Sequence, residues 1–463
     1  MSVQPSLSPV RHHDLIVIGS GSGNSFLDAR FEHLDVALVE HGTFGGTCLN
    51  VGCIPTKMFV HPADLARAVR RAGHLGVDAT VDKVRWTDIR DRVFGRIDPI
   101  SAAGRHYRAE RCRNITLYEG HARFTGPREL HVDGPDMTLT ADRIVIAAGS
   151  RPTVPAVLAG AGVPFHTSDT VMRIESLPER LVILGSGYIA AEFAHVFSAF
   201  GCAVSVVGRS SPMLRGQDET VSERFTGLAR DRWDVHLGAE PVRARRDGDE
   251  IVLDLADGGV VRGDLLLVAT GRRPNGDRLD LPAAGVPAHP DGRVVVDEYQ
   301  RTPVDGVFAL GDVSSPFQLK HVANHESRTV AHNLLHPDAP KATDHRFVPS
   351  AVFTEPQIAA VGRTEQDCRA EGLDYAVHVQ AYGDVAYGWA MEDDTGFCKV
   401  LAERGTGRLL GAHIMGPDAS VVIQPMIQAM SFGLTATEMA CNQYWIHPAL
   451  PELLENALLG LRL

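Results

Sequence analysis

"RLVILGSGYIAAEFA", residues 180–194, is an apolar run closed by Gly185-Ser186-Gly187, and "HDLIVIGSGSGN", residues 13–24, has the same form around Gly19-Ser20-Gly21. Each run reads as a buried parallel strand followed by a tight turn and a helix. Glycines at such a turn let the backbone approach a pyrophosphate, which free N–H groups and the dipole of the helix N-terminus stabilise. One such turn is a common feature; two in one chain point to two nucleotide sites.

The second strand after each turn separates the sites. "DVALVE" ends in Glu40, about 20 positions after the first glycine, where a carboxylate accepts from a ribose 2′-hydroxyl. "AVSVVGR" has Gly208 in the place of the acid, with Arg209 next and Arg215 shortly beyond. A missing carboxylate beside arginines suits a 2′-phosphate, so the second site is expected to prefer NADPH to NADH. Asn24 takes the third glycine position of the first motif, which sets its helix slightly further from the strand. Further strands end at "RIVIAAGSRP" (143–152), "LLLVATGRRPN" (265–275) and "GVFALGDV" (306–313). A buried acid at the end of the last, Asp312, requires a donor such as a sugar hydroxyl or an N–H group.

The 463 residues suffice for about three domains. A net charge of −12 without a basic run argues against a nucleic-acid partner. "MSVQPSLSPVRHH" lacks the apolar core of a signal peptide and no stretch is long and apolar enough to span a membrane, so a cytoplasmic protein is expected. Of seven cysteines, five are scattered, which is not a secreted disulfide framework. The other two, Cys48 and Cys53, form C-x4-C in "GGTCLNVGCIP". Gly45, Gly46 and Gly52 permit a tight loop, and Pro55 suits the first turn of a helix after Cys53, where the dipole favours thiolate. Zinc is the rival chemistry, but it usually requires a second close pair or a Cys-His set, so no metal is expected.

Near the C-terminus, "HPALPE" offers His447 and Glu452 across a segment stiffened by Pro448 and Pro451. A helix beginning at Pro451 would put Glu452 in its first turn. A carboxylate so held can orient an imidazole and stabilise its charged form, which suits the proton transfers of thiol–disulfide exchange.

Through nearly its whole length the chain resembles the pyridine nucleotide-disulfide oxidoreductases, the flavoprotein disulfide reductases with two dinucleotide-binding domains. The resemblance rests on the two glycine turns, Gly311-Asp312, C-x4-C and the His-Glu pair. It implies an α/β fold: two Rossmann-like dinucleotide-binding domains plus a C-terminal α+β interface (dimerisation) domain. It implies that FAD is held by Gly19, Gly21, Glu40 and Asp312, with Thr47, Ala122 and Gly149 as further contacts. The nicotinamide cofactor would be held by Gly185, Gly187, Arg209 and Arg215, with Gly271 beside them. Tyr188 would cover the nicotinamide pocket, and Lys57, paired with Glu192, would lie near the flavin. Cys53 would be the flavin-proximal sulfur and Cys48 the exposed one that attacks substrate. His447 and Glu452 would come from the neighbouring subunit of a homodimer.

The expected domains are residues 1–153 and 274–346 for FAD, 154–273 for NADPH and 347–463 for the interface. The expected activity is NADPH-dependent reduction of a small-molecule disulfide. The final "ALLGLRL" carries no cysteine pair to relay electrons to a large protein or mercury. The rivals are a lipoamide dehydrogenase working with NAD, a glutathione reductase-like enzyme, and a flavin-binding regulator without catalysis.

Overall fold

The computed structural model describes residues 9–463; the first eight residues, on which part of the signal-peptide expectation rests, lie outside that range. The chain forms two compact units, one comprising the segments up to Thr56, Asp88–Thr153 and Gly271–Asp344, the other Lys57–Thr87, Val154–Thr270 and His345–Leu463.

In the first unit, the strands Ile115–Glu119, Val36–Glu40, Val10–Ile18 and Met137–Ile146 lie side by side and parallel. The C-terminal half of Met137–Ile146 pairs in parallel with Val307–Ala309, while its N-terminal half turns antiparallel onto Glu129–Val132. Side chains alternate across the sheet because the strand repeat is two residues. Leu15 and Val17 pack with Phe26, Phe31 and Phe44 on one face. Ile16 and Ile18 pack with Ile144, Ile146 and Leu281 on the other. The sheet is thus covered on both sides, as the unbroken apolar runs require.

After the first glycine turn the expected helix is absent. Only two 3-10 turns, Gly23–Phe26 and Ala29–Phe31, lie before Val36. The connection is short, and Asp28 turns the chain midway by accepting from the backbone N–H of Arg30 at 3.0 Å. The strand before the turn is longer than its apolar run, because Val10–His13 pair with Thr138–Ala141.

In the second unit, the parallel strands run in the order Asp234–Leu237, Ala203–Gly208, Arg180–Leu184, Leu265–Val268, His166–Thr167. Here the turn does lead into an α-helix, Tyr188–Ala199, capped at Gly187. Its sequence is rich in alanine and buried along most of its length, both of which favour a helix against the sheet. The C-terminal part is a five-stranded antiparallel sheet whose core includes Val400, Ile414, Leu453 and Leu454. The helix Glu452–Leu459 contributes the last two. No helix among the described residues is long and apolar enough to cross a membrane.

Candidate active site

In the first unit a hydrogen-bond chain ties three sequence-distant segments to the glycine turn. Glu40 Oε2 accepts from the backbone N–H of Ser20 at 2.8 Å and from its hydroxyl at 2.6 Å, and that hydroxyl accepts from the N–H of Gly45 at 2.8 Å. The acid thus organises the turn and the loop leading to the cysteines. That loop then rests directly on the turn: a Cβ on Gly46 would lie 2.7 Å from Gly21 Cα. Gly19 is equally constrained, with φ +104° and room for a Cβ only 2.4 Å from the carbonyl oxygen of Ala147.

Thr47 and Cys48 belong to the short helix Gly46–Asn50, and Cys53 heads the helix Cys53–Arg71. Asn50 braces the loop from within, donating to the carbonyls of Phe44 and Gly46, both at 3.0 Å. The two sulfurs lie in hydrogen-bonding contact with each other. Cys48 is half-buried and Cys53 exposed. Gly46 seats the Cys48 helix on the turn, whereas Cys53 stands at a helix start. Hydrogen bonding to Cys53 first, with burial second, holds the Cys48 thiol far above the ordinary value of 9.0, against a partial counter-pull from Lys320.

Asp312 is half-buried rather than fully buried, and its donor is the Ser150 hydroxyl at 2.6 Å. Arg272 fixes Ser150 in turn, donating from Nε to the hydroxyl at 2.9 Å and from Nη2 to the carbonyl at 2.8 Å. Gly149 precedes Ser150, and its carbonyl accepts from the N–H of Asn275. Gly271 borders the antiparallel pair Ser150–Pro152 and Arg272–Pro274, its carbonyl accepting from Thr153. Ala122 starts a strand and its side chain is in the core.

The second unit holds the other candidates. Gly185 and Gly187 shape the turn, and Tyr188 opens the following helix, partly exposed. Arg209 and Arg215 are both exposed near the end of the strand Ala203–Gly208. Glu192, buried in that helix, accepts from Lys57 Nζ at 2.6 Å and from the N–H of Phe353 at 2.9 Å. Lys57 also lies 4.2 Å from the centroid of the Phe353 ring. His447 Nδ1 is 2.6 Å from Glu452 Oε1, with the imidazole largely exposed and the carboxylate largely buried. That contact fixes the ring and leaves Nε2 for another partner.

Ser20, Asn50, Ser150, Arg108, which donates to Asn24 and Leu27, and Lys320, which donates to Ser22, belong to this architecture without standing out in the sequence. Ser20 lies inside the first glycine motif and Asn50 inside the cysteine loop. The other three act across long sequence separations, which no local spacing reveals.

The model of the pyridine nucleotide-disulphide oxidoreductases matches residues 13–328, and that of their dimerisation domain matches residues 348–458. The chain belongs to this family. Mycothione reductase from Mycobacterium tuberculosis is 59% identical over 461 residues, covering 97% of this chain and 99% of that protein. Glutathione reductase from Burkholderia cepacia is 32% identical, covering 95% and 97%. Among solved structures, the HOCl-induced flavoprotein disulfide reductase RclA from Escherichia coli is similar with a TM-score of 0.85 at 27% identity, covering 96% and 99%. As a pyridine nucleotide-disulphide oxidoreductase, the protein is an enzyme that works with FAD and a nicotinamide nucleotide. The fold fits both groups: nothing lies within 4 Å of a Cβ built on Gly149, Gly187 or Gly271, so these turns face open space.

Proposed function

We propose that the protein reduces mycothione, the disulfide of mycothiol, with electrons from NADPH. The observation that supports the disulfide chemistry is the contacting Cys48–Cys53 pair, in a loop that Gly46 seats on the first glycine turn. The substrate follows from the 59% identity to mycothione reductase.

Residues 1–153 and 274–346 make the FAD domain, 154–273 the NADPH domain and 347–463 the interface of a homodimer, working in the cytoplasm. Gly19, Gly21, Glu40, Thr47, Ala122, Gly149 and Asp312 hold FAD, with Lys57 and Glu192 beside the flavin. Gly185, Gly187, Arg209, Arg215 and Gly271 hold NADPH, with Tyr188 over its reactive ring. The absence of an acid at Gly208 supports that cofactor choice: a Cβ there would lie 2.7 Å from Ser186 Cβ. When bound, FAD and NADPH supply the two electrons that convert the enzyme disulfide to the dithiol.

Cys48 attacks one sulfur of the substrate disulfide, forming a mixed disulfide and expelling the first thiol. Cys53 then attacks Cys48, which closes the enzyme disulfide and expels the second. Because its neighbour holds the Cys48 thiol up, that group requires a base, which supports the division of roles. His447 of the other subunit takes that proton and returns it to the departing thiolate, with Glu452 stabilising its charged form.

The test offers mycothione, glutathione disulfide and lipoamide to the purified enzyme with NADPH and with NADH. Mycothione with NADPH should give the highest kcat/KM, and Cys48→Ser should abolish turnover. A clear preference for another disulfide, or undiminished turnover by the variant, refutes the assignment.

A further inference from the structure

The two glycine turns present unequal electrostatics to a pyrophosphate. The second is followed by a 12-residue α-helix, whose N-terminal N–H groups and dipole favour an anion. The first is followed by a 3-10 turn of 4 residues, too short to sum a comparable dipole. Arg108 lies just beyond this turn, but its guanidinium is engaged by Asn24 and Leu27, so a positive charge for an anion has to come from elsewhere.

It comes from the helix Lys320–Leu335. Lys320 Nζ donates to the hydroxyl of Ser22, inside the turn, at 2.9 Å. Ser327, further along the same helix, donates from its hydroxyl to the Ser22 carbonyl at 3.1 Å. The turn is therefore gripped at both its side chain and its backbone. Lys320 is half-buried, and among the described residues no carboxylate lies within ion-pair distance of it. A partly desolvated ammonium whose contact is a neutral hydroxyl is a site for an anion.

We propose that Lys320, seated on Ser22, is the fixed cation that holds the pyrophosphate of FAD at the first glycine turn, in place of the dipole of the α-helix that this turn lacks. The inference rests on the proposed binding of FAD at that turn. It concerns a positioning charge rather than a catalytic one. Its field also reaches Cys48, where it opposes the rise of the thiol.

The experiment tracks FAD release from the holoenzyme by flavin fluorescence over a range of potassium bromide concentrations. Lys320→Met should bind FAD about tenfold more weakly, the loss of one charge-assisted contact, and with a shallower salt dependence. Lys320→Arg should restore both, and Ser22→Ala, which frees the ammonium, should weaken binding several-fold. Wild type and Lys320→Met that retain FAD equally, with the same salt dependence, overturn the inference and leave the proposed function intact. So does a variant with unchanged FAD release that alters only the pH dependence of the reduced enzyme's long-wavelength absorbance, because the lysine would then serve the sulfurs. A wild-type protein that takes up no FAD overturns both. Should Lys320→Met not fold, Ser22→Ala decides: unchanged FAD release overturns the inference.

Discussion

His447 and Glu452 show how much one contact can decide. With Nδ1 engaged by Glu452 at 2.6 Å, only Nε2 is left to exchange a proton. Glu452 also accepts weakly from the N–H of Ala449 at 3.4 Å, so the carboxylate is oriented as well as buried. Glu452→Gln keeps the size and removes the charge that stabilises an imidazolium. Turnover with the disulfide is expected to fall about 100-fold, within the range of lost acid–base assistance, while stopped-flow reduction of the flavin by NADPH is unchanged. Equal losses in both half-reactions would remove the pair from the proton transfer. This pair is legible in the sequence because five positions and two prolines set its spacing. Lys320 is not: its partner Ser22 is 298 positions away, and a single lysine at a helix start looks like a solvated charge.

Strands and turns are legible for the same local reason, but a glycine turn does not itself specify a helix, and the one expected after the first turn does not form. The residues beyond each turn make the difference. After Gly187 come alanines that favour a helix, whereas the segment after Gly23 is short and is turned at Asp28. Arg108, in the π-helical turn Tyr107–Arg111, replaces the missing helix as a brace. Its Nε donates to Asn24 Oδ1 at 2.7 Å, and its Nη2 to the carbonyls of Asn24 at 3.2 Å and Leu27 at 2.9 Å. Asn24 at the third glycine position thus gains a partner that a glycine would lack. Arg108→Met removes all three contacts and is expected to cost about 2 kcal/mol, read from urea unfolding of the protein. Asn24→Gly, which removes only the side-chain contact, should cost less. A smaller loss for Arg108→Met than for Asn24→Gly would show that the backbone contacts contribute little.

At the scale of the whole molecule, stability depends on buried charges that take no part in the sulfur chemistry. In the second unit, Asp218 caps the helix Glu219–Arg232 and is fully buried. It accepts from Lys399 Nζ at 2.8 Å and from the N–H of Glu365 at 2.9 Å, while Lys399 also pairs with Glu365 at 2.7 Å. Burial alone would raise both acids, but the hydrogen bonds from Lys399, joined by the Glu365 N–H at Asp218 and the Tyr375 hydroxyl at Glu365, outweigh it and hold both below their ordinary values. Their contribution is therefore complete above about pH 5 and is lost as pH falls through the depressed values. His413, facing Asp218, Lys399 and Asp367, has its pKa lowered by burial. Its Nε2 donates to the carbonyl of Arg363 at 2.9 Å, and Nδ1 is buried without a partner among the described residues. It stays neutral in the folded protein, so protonation of the unfolded chain below its ordinary 6.5 draws stability away. Urea midpoints should hold steady from pH 8 to 7 and decline below about pH 6.5, by at most about 1.4 kcal/mol per pH unit for each such histidine. His413→Gln should flatten that decline only in part, since burial also lowers His13 and His166. Lys399→Met tests the cluster more severely, because it removes the ammonium between two carboxylates and leaves Glu365 only the more distant Arg369 at 3.7 Å. The variant should lose about 3 kcal/mol at pH 7. Its carboxylates, now raised, take up protons more readily than those of the unfolded chain, so the deficit should shrink as pH falls towards 4. A deficit of constant size across that range would mean that Lys399 acts through packing alone.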